Sequence, residues 1–323
     1  MKKQLQVWQL ISKSLEQNIA VMLLYVLESD GSSPGRQGFF MAVNANEEMI
    51  GSIGGGIMEH KFVKKAKDKL KHNEYENNIY IQIHNKSSLQ FQSGMLCSGE
   101  QSIFVYRVKA SDSYAIKQII NCIENNKSGT LTLSSKGISF DEEIPEDDTR
   151  FFRDDERKED WIYKEQIGYK NHMYIIGAGH CALALSKILS MIGFYIHLYD
   201  DRENLNTFLE NEYVHQKTII NNYTEINNLT ITGDNNFVIV MTMGYRTDDI
   251  VVRSLLNKEF KYFGLLGSKK KIEKMFSDYL KEGIDESLIK RIYAPAGLPI
   301  HSQTPEEIAI SIAAQIIGLK NEL

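Results

Sequence analysis

The chain has 323 residues, of which 42% are hydrophobic and 24% charged, and its formal net charge is −5. That length exceeds the roughly 150 residues of a usual domain and predicts two cores. The mildly acidic balance excludes a general attraction to nucleic acid or to an anionic membrane.

Met1-Lys2-Lys3 leads into a mixed polar and apolar segment without a signal-peptide run, and no stretch approaches the roughly 18 apolar residues of a membrane span. A cytoplasmic protein is expected. Leu5, Trp8, Ile11 and Leu15 mark one face of a first helix. Strands follow over 20–27, 39–43 and 49–53, then a helix over 57–71, strands over 79–83 and 102–108, a helix over 114–123 and a strand over 130–133. Together they predict a small α+β domain over residues 1–140. Of the three cysteines, Cys122 falls on the apolar face of the helix over 114–123, with Ile116, Ile119 and Ile123. Cys97 and Cys181 stand far from it in sequence, so neither a disulfide framework nor a CxxC metal centre is indicated and reduced thiols are expected. Residues 141–165 are dense in charge with almost no apolar period, and read as a linker or an exposed hairpin.

Residues 166–323 alternate strands and helices, which predicts a parallel sheet. Met173 to Ile176 is an apolar strand, Gly177 permits a tight turn, and Gly179 opens the next helix, where backbone N–H groups can approach a pyrophosphate. Ala182 takes the place of a third glycine. His180 follows the turn, with two readings: a contact to ligand phosphate or ring, or a hydrogen bond to a neighbouring loop. Cys181 lies where a helix dipole favours thiolate, although packing against the turn is its simpler role. A second strand ends at Asp200, placed to accept from a ribose hydroxyl. The Asp200-Asp201 pair would repel a 2′-phosphate and so favours NAD or an adenosine diphosphate moiety, with Arg202 as the counter-argument for NADP. Further strands are expected over 237–242, 262–266 and 291–294, with a helix carrying Ile250 to Leu256. Ser268, Lys269 and Lys270 follow a strand end, facing either the crevice or solvent. Thr304-Pro305-Glu306-Glu307 is an N-cap, N1 proline and capping-box series before the last helix.

Three segments of the first domain are too glycine-rich for plain scaffolding: Gly31 to Gly38 around Arg36, Gly51 to Glu59 with Gly54-Gly55-Gly56, and Gly94 to Gly99 around Cys97. Three successive glycines before a helix cost chain entropy and indicate close approach of a backbone or an anion. Arg36 can pair with phosphate. Glu59 reads as a dipole-compensating residue or one that orients a ligand. Lys61, Lys64, Lys65, Lys67, Lys69 and Lys71 read as a solvated face.

The motifs GSSPGRQG, GSIGGGIME, GMLCSGE, YIIGAGH, VIVMTMGYRTD, GLLGSKKK and YAPAGLPIHSQTPEEIAISIAAQI occur in this order. In this the chain resembles the XdhC/CoxI family, accessory proteins that mature xanthine dehydrogenase and related molybdenum hydroxylases. The resemblance covers nearly the whole chain. It implies an N-terminal α+β domain, a C-terminal Rossmann-like domain and a role in holding the molybdenum cofactor while it is sulfurated and delivered. Many relatives carry two glycines after the cysteine where Ser98 and Gly99 stand here, and arginine directly after the proline where Gly35 stands. They often have histidine where Met243-Gly244-Tyr245-Arg246 occurs.

The family reading implies a cofactor site drawn from Gly177, Gly179, His180, Asp200, Gly54, Gly55, Gly56, Arg36 and Cys97. In it, Cys97 is either a buried small residue or a thiolate that touches molybdenum or relays sulfur. The implied partners are an apo molybdenum hydroxylase, a cysteine desulfurase and a second copy of the chain, and catalysis is not required. The alternatives are an NAD-dependent oxidoreductase, which lacks an evident catalytic set, and a nucleotide-sensing module.

Overall fold

A computed structural model describes residues 2–74, 77–83, 99–144, 150–153 and 161–321. The chain divides into two units, Met1–Gly168 and Tyr169–Leu323.

The first unit runs α1 (Lys2–Glu16), β1 (Val21–Gly31), β2 (Phe40–Asn44), β3 (Met49–Gly51), α2 (Gly56–Lys71), β4 (Asn78–Ile83), β5 (Gly99–Arg107), α3 (Ser113–Glu124), β6 (Gly129–Ser134), β7 (Gly137–Asp141), β8 (Arg150–Arg153) and β9 (Trp161–Ile167). A five-stranded antiparallel sheet has the order β3-β2-β1-β5-β4, and a four-stranded one the order β7-β6-β9-β8. β1 lies in the middle of the larger sheet and is apolar on both faces. Val21, Leu23, Tyr25 and Leu27 pack towards α1, α3 and the smaller sheet, while Met22, Leu24 and Val26 pack towards α2. This is why residues 21–27 form an unbroken apolar run where a half-solvated strand would alternate.

The charged stretch expected to be a linker or an exposed hairpin contains two consecutive strands that pair, but the second of them is buried along one face. β8 and β9 pair antiparallel. Trp161, Tyr163 and Ile167 alternate inward with exposed Ile162 and Lys164, so β9 is a core strand of the first unit. Glu165 on β9 accepts from Tyr25 on β1 at 2.5 Å and from Tyr163 at 2.7 Å. The boundary therefore falls after Gly168, and not at residue 140 as the composition of the chain predicts. Net charge over 141–160 masks the period-two pattern that starts at Trp161.

The second unit runs β10 (Asn171–Ile176), α4 (His180–Met191), β11 (Phe194–Asp200), α5 (Asn206–Leu209), β12 (Gln216–Ile219), α6 (Ile226–Leu229), β13 (Gly233–Val240), α7 (Tyr245–Leu255), β14 (Phe260–Leu265), α8 (Lys269–Lys281), α9 (Glu286–Lys290), β15 (Ile292–Tyr293) and α10 (Pro305–Asn321). Its six strands are parallel in the order β12-β11-β10-β13-β14-β15. Relative to β10 this is the doubly wound order of dinucleotide-binding folds, with the switch point between β10 and β13. α4 and α10 cover one face over Met173, Ile175, Ile196 and Ile239. α7 and α8 cover the other over Tyr174, Ile176, Val238 and Val240. The mixed α/β class, with a Rossmann-like parallel sheet following an α+β unit, is the one the sequence implies.

Towards the start of the sheet the second face carries rings. His172 Nδ1 lies 3.1 Å from His197 Nε2, whose Nδ1 lies 3.0 Å from Gln216 Oε1. The Tyr174 ring stacks on His197 at 4.5 Å. Burial, and then the neighbouring His172, push the His197 imidazole down to about 4.

Candidate functional site

The turn after β10 is fastened on every side. Gly177 has φ +105°, and a Cβ there would lie 2.3 Å from the Met241 carbonyl oxygen, so the end of β13 leaves room only for glycine. Its N–H donates to Tyr199 O at 2.8 Å. The Ala178 N–H donates to Asp200 Oδ2 at 2.7 Å, and Thr207 donates to the Ala178 carbonyl. Gly179 differs: it caps α4 without a side-chain hydrogen bond, and a Cβ at this position would meet nothing within 4 Å. The first turn of α4 thus has no side-chain cap on its N–H groups, and the positive end of the helix dipole stands behind them.

Asp200 is not a free ribose acceptor. It is completely buried. Its oxygens accept from the Ala178 N–H, from the Arg202 N–H at 3.0 Å, and from Arg202 Nε and Nη2 at 2.7 and 2.8 Å. Burial works to raise its pKa, but the Arg202 guanidinium and the backbone donors outweigh it and hold the carboxyl below its usual value. The guanidinium also reaches Met243 Sδ at 3.5 Å, on the loop after β13. Asp200 therefore braces the turn and aims Arg202, and its charge, neutralised by that arginine, no longer disfavours a phosphorylated ligand.

The loop after β13 provides a second uncapped helix start. Gly244 caps α7 with no side-chain bond, and Met243 and Arg246 are exposed. Beneath it, buried Asp248 accepts from the Thr242 N–H at 3.0 Å and Thr242 Oγ1 at 2.5 Å, and pairs with Lys271. Sequence reasoning missed both Asp248 and Lys271. Ser268 caps α8, Lys269 and Lys270 are exposed, and it is the third lysine of the run that turns inward.

His180 is exposed. It lines a groove of about 560 Å³ between α4, the segment over 210–213 and the start of α10, with Lys187, Tyr213 and Glu306. Cys181 is half-buried among the apolar residues under α4, and burial, then Glu306, push its thiol up, away from the thiolate that the dipole alone would favour.

In the first unit the glycine loops meet backbone to backbone. Gly54 has φ +127°, and its Cβ would lie 2.4 Å from the Gly35 N, while a Cβ on Gly35 would lie 2.0 Å from Ile53 O. Gln101 Nε2 donates to Gly35 O at 2.6 Å. The loop's donors are largely used within the chain: Glu59 Oε2 accepts from Ser52 Oγ at 2.6 Å, the Ile53 N–H at 2.9 Å and the Gly55 N–H at 3.0 Å. Of the triplet expected to receive phosphate, Gly54 is taken up by close packing, while Gly55 has open space at its Cα; Gly56 begins α2. Arg36 is exposed and folded back onto Gly31 O at 3.1 Å. Cys97 lies outside the described residues.

Residues 173–316 match the model of the XdhC Rossmann domain, and residues 14–77 match that of the XdhC and CoxI family. The chain belongs to the XdhC and CoxI family. Among curated proteins it is 24% identical over 96% of its length to the uncharacterized protein YqeB of Escherichia coli K12, and spans only 45% of that relative. It is 19% identical to a probable xanthine dehydrogenase subunit of Bacillus subtilis 168, with 96% of each chain covered. A crystal structure of a xanthine dehydrogenase from Bacillus halodurans superposes with a TM-score of 0.71 at 23% identity, covering 97% of this chain and 95% of that one, which shows a common fold.

In this XdhC chain the matched Rossmann domain contains both uncapped helix starts and the Asp200–Arg202 and Asp248–Lys271 pairs. Both acids are spent on bracing and Arg202 is taken up by Asp200, so the groups left facing outward at the switch point are the N–H donors of the two helix starts and exposed Arg246, with exposed Asp201 beside Arg202. That arrangement suits an anion. Among the described residues no group of three or more His, Cys, Asp or Glu is placed to hold a metal ion, and no described helix is long and apolar enough to cross a membrane.

Proposed function

We propose that this chain is a cytoplasmic maturation factor that binds the molybdenum cofactor, shields it, and passes it during sulfuration to a xanthine dehydrogenase-type hydroxylase, with a cysteine desulfurase as sulfur source. The observation that carries the ligand assignment is the open first turn of α4 at Gly179, beside the uncapped start of α7. The terminal phosphate of a pterin, or the diphosphate of its nucleotide form, fits a cradle of helix N–H groups. The backbone of Gly179, His180 and Cys181 would hold it, and exposed Arg246 would balance part of its charge. When bound, the group supplies the dithiolene-held molybdenum that the recipient needs. The chain's own part is to bind, orient and exclude water. Membership of the XdhC family and the likeness to the Bacillus subtilis protein support this reading.

The Asp200–Arg202 clasp tells against the NAD-dependent alternative, since the acid expected to read a ribose is closed by its own arginine. Incubation of the purified chain with released molybdenum cofactor, followed by gel filtration with pterin fluorescence and metal analysis, tests the proposal. Co-elution with the wild type and its loss in Gly179→Val are expected. Binding of NAD alone, with no pterin retained, would return the assignment to a nucleotide-dependent function.

A further inference from the structure

The outer side of α4 carries apolar residues that the core of the second unit does not absorb. Ala182, Leu185 and Leu189 face the sheet and are buried. Leu183, Ala184 and Ile188 are only half-buried, and they line the groove of about 560 Å³ that begins at His180. Pro305 and Ile310 of α10 line it too, with Ile310 54% exposed. Beyond the groove, Met191 continues the stripe of Ala184 and Ile188 at i, i+4 and i+7 and is 79% exposed. Both walls are held from behind. Buried Asn211 donates to Ser186 Oγ at 3.1 Å, and Ser186 donates to the Ala182 carbonyl at 2.7 Å. At the start of α10, the Glu307 N–H donates to Thr304 Oγ1 at 3.2 Å and the Thr304 N–H to Glu307 Oε2 at 3.1 Å, a cap that engages Glu307 while Glu306 lines the groove. The rim is acidic. Glu210, Glu212 and Glu306 are exposed and make no ion pair among the described residues. Against them stands Lys187, whose ammonium lies 5.9 Å from the centre of the Tyr213 ring.

We propose that this groove docks a cationic amphipathic helix of a partner protein. Unpaired carboxylates around apolar surface attract lysine and arginine and repel an acidic segment, and the same rim rejects nucleic acid and anionic lipid. The occupant is therefore basic. Its lining comes from two helices and the 210–213 segment, with no strand among the described residues that contribute. An extended peptide would find no sheet edge to pair with, which leaves a helix laid down by its apolar face. α4 contributes from His180 to Ile188, a rise of about 12 Å. That length matches two turns, so the occupant presents apolar anchors at i, i+3 or i+4, and i+7. Its flanking cations meet Glu210 and Glu212 on one wall and Glu306 on the other. Burial of the anchors on Leu183, Ile188 and Ile310 supplies affinity, and the carboxylates supply steering and orientation. Ligands of doubly wound folds bind at the strand ends, whereas this groove lies on the side of α4 turned away from the sheet. The docking site thus stands whichever ligand the first turn of α4 holds.

Fluorescence anisotropy on the full chain tests this with a labelled synthetic helix of about 15 residues, leucine along one face and lysine on both flanks. The same peptide with glutamate for lysine is the control. Saturable binding of the lysine peptide alone is expected. Ile310→Gln, at an exposed position, should weaken it about tenfold with unchanged circular dichroism. Glu210→Lys combined with Glu306→Lys should weaken it at least as far, and should bind the glutamate peptide in its place. A lysine peptide that binds the wild type and these variants equally is held by the general negative charge of the chain, and overturns the inference. A wild type that binds neither peptide overturns it as well.

Discussion

Lys271, in the first turn of α8, reaches across to Asp248, in the first turn of α7, and joins two helix starts that are 23 positions apart. Asp248 is completely buried and also holds both the N–H and the hydroxyl of Thr242, so one carboxylate fixes the loop at the switch point. Asp248→Leu should cost about 3–5 kcal/mol, because it strands a half-buried ammonium. Combining it with Lys271→Met should cost less than the sum of the single changes, with a coupling of about 1–3 kcal/mol in urea denaturation.

Asp200 gives a pH prediction. Its folded pKa lies below the unfolded value of about 3.9. Its contribution to stability is therefore fully present above pH ~4 and is lost as pH falls through the lower folded value. Asp200→Asn should flatten the acid limb of the stability curve and lower the melting temperature at pH 7. A selective loss of nucleotide affinity with unchanged melting would contradict the bracing role.

The two glycines of the turn separate folding from binding. Gly177→Ala meets a backbone oxygen in a strained conformation and should destabilise by about 3 kcal/mol. At Gly179 an added Cβ meets no protein atom within 4 Å, so Gly179→Val has room at its branch point. It should keep native circular dichroism with only a modest loss of stability, while abolishing retention of a phosphorylated ligand. Calorimetry on both variants checks the contrast.

His197 should titrate near pH 4 by NMR, since burial and His172 hold it neutral. Because the unfolded imidazole takes up a proton near 6.5, stability from this group is present above about pH 6.5 and falls as pH drops towards 4. His197→Phe should remove that slope. An ordinary titration near 6.5 would show that the ring stack is solvated.

Cys97 is predicted from sequence to lie in the ligand cleft of the first unit, between Gly94 and Gly99. Alkylation rates against pH should give a pKa below the free value of about 8.5, and Cys97→Ser should lower cofactor retention. An inert thiol, with full retention by the serine variant, would remove it from the site.

The sequence by itself determined the elements whose signals are local. The apolar strand at Met173, the turn at Gly177 and the helix after Gly179 follow from periodicity and backbone sterics over a few residues, as do the buried run of β1 and the Thr304 to Glu307 cap. Only the tertiary structure decided what the polar groups do. Asp200 has the place of a ribose-binding acid, but Arg202 turns back to close it; Glu59 looks like a free first-turn acid, but fills the glycine loop. Lys271 is indistinguishable in sequence from the exposed Lys269 and Lys270, and β9 joins the first core through Tyr25, 140 positions away from Glu165. The physical reason is that a periodic apolar pattern is read along one element, whereas a carboxylate takes whichever donor the fold brings within about 3 Å.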